Sequence, residues 1–222
     1  MARKKDCWYS ERRRTNAIPI ATTNLIICCG EETENNYFSG AVRYFKSFER
    51  NSLPRFFIET DPVDPLAMAE NVIKFVKRIE RDKSCQLDNV WVVFDKDEFT
   101  NENFNQAISK INNMKHKETK FHVLWSNQCF ELWLLLNFVN MQSAIGRADY
   151  IDKMTNCLGQ KYKKNIKDIF DLISRKGGSI AQATKYAKQL RNESISPAIN
   201  DPATTVYEFF EFYDKYLRLT ES

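Results

Sequence analysis

Two aspartates one residue apart, Asp95 and Asp97, close the segment Asn89-Val-Trp-Val-Val-Phe-Asp-Lys-Asp97. Clustered carboxylate oxygens of this kind suit a hard divalent cation such as Mg2+. Such a cation can stabilise charge on a phosphodiester and activate water. Acids also follow two other apolar runs. Glu31, Glu32 and Glu34 come after Thr23–Cys29, and Glu131 lies a turn beyond Lys120–Trp125, behind Ser126 and Asn127. Carboxylates brought to one edge raise one another's pKa, so a cation or basic neighbours must accompany them. Each residue also has a plain structural role open to it. Asp95 and Asp97 could form a capped turn, Glu34 and Glu131 could complement helix N-termini, and Ser126 and Asn127 are ordinary N-cap types. His122, mid-strand among apolar neighbours, reads as a packed or surface histidine, and His116 in a Lys-rich turn reads as solvated. Two such histidines give little basis for a histidine-driven hydrolytic triad.

The elements that would position these acids follow from the hydrophobic pattern. The run ending at Asp95 is apolar without alternation, which suits a strand buried on both faces of a parallel sheet. In open α/β sheets the ligand crevice lies beyond the carboxyl ends of such strands. Thr23–Cys29, Phe56–Thr60 and Lys120–Trp125 read as the other strands. Between them lie helical patterns: one carrying Tyr37, Phe38, Val42 and Phe45, one entered by Asp64 as N-cap and Pro65 at its first position, and one over Asn101–Met114. A further helix starts in Ser126–Leu136. This alternation predicts a doubly wound α/β sheet through residue 139. Beyond it the strand signal stops, and 161–174, 179–192 and 203–218 read as helices, the last entered through Asn200-Asp-Pro202. The reading therefore divides the chain into a basic N-terminal arm (1–22), an α/β domain (23–139) and a helical C-terminal region (140–222).

The 222 residues, 43% hydrophobic and 28% charged, suit a folded chain with a sizeable core. Apolar runs such as Leu132–Leu136 are far too short to span a bilayer. The first residues lack the apolar core of a secretory signal, so a cytoplasmic location is expected. Six cysteines show neither a CxxC pair nor zinc-finger spacing and read as reduced, mostly structural thiols. The net charge of +4 is uneven: residues 1–14 hold six basic against two acidic residues, and Lys153–Arg191 holds ten against Asp168 and Asp171. Such stripes are either the footprint of polyanion binding or solvated helical faces.

Four stretches together resemble the RloB family: Leu25-Ile-Ile-Cys-Cys-Gly-Glu-Glu-Thr-Glu-Asn-Asn-Tyr-Phe38, Val92-Val-Phe-Asp-Lys-Asp-Glu-Phe99, Ser126-Asn-Gln-Cys-Phe-Glu-Leu-Trp-Leu-Leu-Leu136 and Asn200-Asp-Pro-Ala-Thr-Thr-Val206. Those proteins are Toprim-related and accompany restriction and abortive-infection loci of bacteria and archaea, often beside an ATPase. The resemblance covers roughly residues 23–206. It implies a four-stranded, mostly parallel Toprim-like sheet and Mg2+-dependent phosphodiester chemistry (with Mn2+ as the substitute ion) on DNA or RNA in anti-phage defence. Carried over, Asp95 and Asp97 match the Asp-x-Asp pair and Glu34 the second acid of a Glu-Gly-x-x-Thr-Glu pattern. Cys29 stands where the first glutamate is expected, and a thiol is a soft, poor Mg2+ ligand.

The implied site is then Glu34, Asp95 and Asp97 on the metal, with Glu31 and Glu131 completing the catalytic set. Lys96 would contact phosphate. Arg12, Arg13, Arg14, Lys163, Lys164 and Lys167 would hold the nucleic-acid backbone. The Cys29 departure leaves a second reading open, a catalytically reduced nucleic-acid-binding subunit that serves a partner ATPase. A third is a structural subunit whose acidic edge is only capping and solvation.

Overall fold

The computed structural model describes residues 22–46 and 54–218. The basic arm, with Arg12, Arg13 and Arg14, lies outside the described residues. Four strands, β1 (Thr23–Cys28), β2 (Arg55–Thr60), β3 (Asn89–Asp95) and β4 (Lys120–Asn127), pair in parallel. With β5 (Ala203–Thr204), antiparallel to β4, they form one sheet in the order β2-β1-β3-β4-β5. The helices are α1 (Thr33–Lys46), α2 (Pro65–Lys83), α3 (Asn101–Asn112), α4 (Glu131–Leu136), α5 (Arg147–Leu158), α6 (Ile169–Arg175), α7 (Ile180–Leu190) and α8 (Tyr207–Arg218). This is the expected α/β, Toprim-like architecture. Among the described residues no helix is long and apolar enough to cross a membrane.

The unbroken apolar runs of β1 and β3 are explained by cover on both faces. Leu25, Ile27, Val90, Val92 and Phe94 point toward α2 and α3, meeting Met68, Val72, Phe104 and Ile111. Ile26, Cys28, Trp91 and Val93 point the other way, into a cluster shared by α1, α4, α5, α6, α7 and α8. Phe209 of α8 anchors that cover, its ring edge-on to Trp91 at 5.2 Å and to Phe38 at 5.1 Å. One buried cluster thus joins sheet and C-terminal helices. Asp64 caps α2 as expected, its Oδ1 accepting from the N–H groups of Leu66 and Ala67 at 3.0 Å, with Pro65 next.

Four local expectations are corrected. Ser126 and Asn127 end β4 instead of capping α4: Ser126 Oγ pairs with Thr204 Oγ1 at 3.0 Å, and Asn127 Nδ2 donates to the Ala198 carbonyl at 3.0 Å. Asn200-Asp-Pro202 leads into β5, a strand of two residues, and α8 begins only at Tyr207. Helix α5 was not anticipated, and the helix expected over 161–174 is reduced to α6. The polar α5 buries only Tyr150, Met154 and Leu158, one residue per turn, and stops at Gly159 in the left-handed region. His116 is not solvated. Its Nε2 lies 3.0 Å from Glu80 Oε2, and its side chain is 14% exposed. His122 is packed as expected, stacked on Trp91 at 4.0 Å; burial first, and then Lys120, lower its pKa to about 4.

A buried polar lock ties α8 to the sheet. Asn24 Oδ1 accepts from Asn89 Nδ2 at 2.9 Å and from the Tyr213 hydroxyl at 2.7 Å, while Trp91 Nε1 donates to that hydroxyl at 3.0 Å. Asn24→Ala should cost about 2–3 kcal/mol in urea unfolding, because it strips acceptors from buried donors, and Tyr213→Phe should cost about 1 kcal/mol. Glu80 is a second buried polar centre. Burial raises its carboxyl, but donors from Lys117, His116 and the Leu87 N–H outweigh this and hold it down to about 2. A depressed folded pKa stabilises above the unfolded value and is lost as pH falls through the folded one. The Tm deficit of Glu80→Gln should therefore be clear at pH 7 and gone by about pH 2 in a thermal melt series.

Candidate functional site

At the carboxyl ends of β1 and β3 the chain encloses a cavity of about 530 Å3. Its walls come from the turn after β1, the start of α2, the Asp95–Phe99 loop, the start of α4, and two cations of the C-terminal region, Arg147 and Lys164. Asp95 is the last residue of β3. Its Oδ2 accepts from the Phe130 N–H at 2.9 Å, while Oδ1 is shut from solvent with no hydrogen-bond partner. Burial, then Glu34 and Glu131, push this carboxyl well above the usual range, against the Phe130 N–H and Arg147.

Glu34, in the first turn of α1, is 7% exposed and lies directly over Gly30. A Cβ at position 30 would fall 1.8 Å from Glu34 Oε2, so glycine is what admits the carboxylate. Burial raises Glu34, its own backbone hydrogen bond lowers it, Glu131 raises it, and Lys164 and Arg147 offset part of the rise. Glu131, first residue of α4, is 2% exposed. Its Oε1 accepts from the Tyr162 hydroxyl at 3.1 Å and stands 3.9 Å from Lys164 Nζ.

Asp97 sits at φ 44°, in the left-handed region, where its N–H donates to the Gln128 carbonyl at 2.9 Å. That conformation turns its carboxylate to Arg147, whose Nη1 donates to Oδ1. Glu31 and Glu32 line the cavity from its exposed rim.

The predicted cations divide. Lys164 lines the cavity, whereas Lys163 and Lys167, exposed nearby in the same irregular segment, do not line it. Lys96 does not line it either: its Nζ donates to the Phe99 carbonyl. Arg147 and Tyr162 were not anticipated. Arg147 begins a helix with no strong apolar pattern, and Tyr162 lies in a stretch that reads as helical but forms a turn.

Cys29, also in the cavity wall, donates its thiol to the Val63 carbonyl at 2.9 Å. Burial, then Asp95, Glu34, Asp61 and Asp64, push that thiol up to about 12. It is a neutral hydrogen-bond donor at physiological pH, not a thiolate.

The donor chemistry fits a hard divalent cation. The oxygens are carboxylate, they oppose one another in a buried space, and Asp95 Oδ1 has no other partner. Asp95 and Glu34 are the residues placed to hold it, with Glu131 behind them. Among the described residues no three His, Cys, Asp or Glu side chains are already gathered in a metal-holding arrangement, and Asp97 is engaged by Arg147.

A family model described as RloB-like protein matches residues 24–212. The chain belongs to the RloB-like family. No curated protein and no solved structure matches it. The RloB-like match runs from β1 into α8, so it takes in the sheet, every cavity-lining residue and the helices that cover them.

A raised folded-state pKa favours folding below the unfolded value and loses that contribution as pH rises through the folded one. Asp95→Asn should therefore raise the Tm of the metal-free protein at pH 8 by roughly 3 °C, the scale of about 1 kcal/mol in a chain of this size. The gain should vanish near pH 3, where Asp95 is protonated folded or unfolded.

Proposed function

We propose that this RloB-like protein is a Mg2+-dependent phosphodiesterase acting on nucleic acid, with Mn2+ able to replace Mg2+. The observation that carries this reading is the buried, unpartnered Asp95 Oδ1, in the same cavity as Glu34 and Glu131 and the two cations Arg147 and Lys164. When bound, a divalent cation would polarise a phosphoryl oxygen and make water a better nucleophile. The chain's own residues do the rest. Asp95, fixed by the Phe130 N–H, and Glu34, seated on Gly30, present oxygens to the ion. Tyr162 orients Glu131 behind them. Glu31, on the exposed rim, is placed to accept a proton from water. Lys164 faces the phosphate, while Lys163, Lys167 and the arm carrying Arg12, Arg13 and Arg14 hold the backbone, making affinity salt-dependent. The family resemblance adds the setting, anti-phage defence beside a partner ATPase.

Cys29 favours a second reading, a binding subunit with reduced catalysis. A neutral thiol supplies no hard ligand where a glutamate would. Labelled single- and double-stranded DNA and RNA, incubated with Mg2+ or Mn2+, decide between them. The enzyme reading expects metal-dependent cleavage that falls by about 100-fold or more in Asp95→Asn, the scale on which removing transition-state charge stabilisation acts. Tight, salt-sensitive binding without cleavage, unchanged by Asp95→Asn, would replace it with the binding reading.

A further inference from the structure

The C-terminal region contributes two cations to the cavity, and each already lies against one of its acids. Arg147 Nη1 donates to Asp97 Oδ1, and Lys164 Nζ stands 3.9 Å from Glu131 Oε1. Both acids belong to the α/β part of the chain and both cations to the segment after residue 140. Arg147 is the first residue of α5, which is fixed there by Asp149 Oδ2 accepting from the Gly146 N–H at 3.2 Å. Its guanidinium also lies close enough to lower Asp95 and Glu34 electrostatically. The side chain is 41% exposed and Asp97 35%, so the pair sits at the cavity mouth where either member can exchange its partner.

We infer that Arg147 is a phosphate-positioning residue that, without metal, occupies Asp97 in the cation's place. The inference rests on the metal-dependent reading above. A divalent cation entering beside Asp95 competes with the guanidinium for Asp97, because both need the same carboxylate oxygens. The released guanidinium remains anchored at the start of α5, within the same cavity. Its planar fork matches two oxygens of a phosphate that the cation attracts. Metal and phosphate thus enter together: the cation costs the site an ion pair, and the phosphate restores one. This also accounts for the ungathered acids, since Asp97 is turned outward to Arg147. Lys164 stands in the same relation to Glu131, at a longer distance.

The test compares wild type, Arg147→Gln and Arg147→Lys, each confirmed folded by thermal melting. Calorimetry measures Mn2+ alone, and then inorganic phosphate titrated in the presence of Mg2+. Arg147→Gln should bind Mn2+ about fivefold more tightly, the scale of one partly exposed ion pair given up. It should bind phosphate about tenfold more weakly, having lost a charge-assisted bidentate donor. Arg147→Lys should leave Mn2+ affinity near wild type but weaken phosphate, because it keeps the charge and loses the fork. A merely structural role for Arg147 moves both affinities the same way or neither, and that result overturns the inference while leaving the metal site standing. If no variant binds Mn2+, including Arg147→Gln, the metal-dependent reading fails and the inference falls with it.

Discussion

Everything distinctive in this chain depends on one electrostatic constraint: carboxylates from separate segments are buried against one another where β1 and β3 end. Glu34 comes from α1, Asp95 from β3 and Glu131 from α4; beyond burial itself, Glu34 and Glu131 raise the cost of ionising Asp95, and Glu131 that of ionising Glu34. A fold driven only by stability would not retain such a cluster, since buried charge is costly unless paired and hydrogen-bonded. The partners present are specific and few: the Phe130 N–H for one oxygen of Asp95, the Tyr162 hydroxyl for Glu131, and a glycine that lets Glu34 come close. They hold the acids in place without neutralising them. That combination of fixed geometry and unbalanced charge is what a cation-binding site requires.

Burial of the acids is in turn a consequence of how the C-terminal helices are used. The aromatic cover of α8, with Phe209 against Trp91 and Phe38, closes one face of the sheet, and the Asn24–Asn89–Tyr213 lock fixes its angle. With that cover seated, α4 packs entirely inside the protein, every residue from Glu131 to Leu136 buried. The turn at 161–164 can then deliver Tyr162 and Lys164 to Glu131. The apolar energetics of the C-terminal region and the electrostatics of the cavity are therefore linked.

The parts legible in the sequence are those whose signal is local. Unalternating runs such as Val90–Phe94 suit doubly covered strands, and Asp64-Pro65 supplies a cap and first residue for a helix start. Strand ends then place Glu34, Asp95 and Glu131 on one edge without further information. The parts not legible depend on partners remote in sequence. Two residues of β5 carry no period, and only their pairing with Ser126 and Asn127 makes them a strand. Arg147 lies fifty residues from the Asp97 it meets, on a helix whose apolar stripe is a single residue per turn. Lys96, adjacent to both aspartates, reads as the natural phosphate contact, yet its Nζ donates to the Phe99 carbonyl, in a loop where Asp97 is left-handed and turned to Arg147. Sequence adjacency to a site says little about direction when the neighbouring residue, here Asp97, is in the left-handed region.

Position 29 is best understood through the charge balance of the cavity. Its lining acids are Glu31, Glu32, Glu34, Asp64, Asp95, Asp97 and Glu131, and its cations are Arg147 and Lys164. Carboxylates thus outnumber cations in the lining by seven to two. A glutamate at position 29 would add a further charge beside Asp95, Glu34, Asp61 and Asp64, the groups that reinforce burial in keeping the Cys29 thiol protonated. A neutral thiol donating to the Val63 carbonyl keeps the strand end packed and adds no charge. In the proposed reading, Cys29 therefore limits how much positive charge the site can take up.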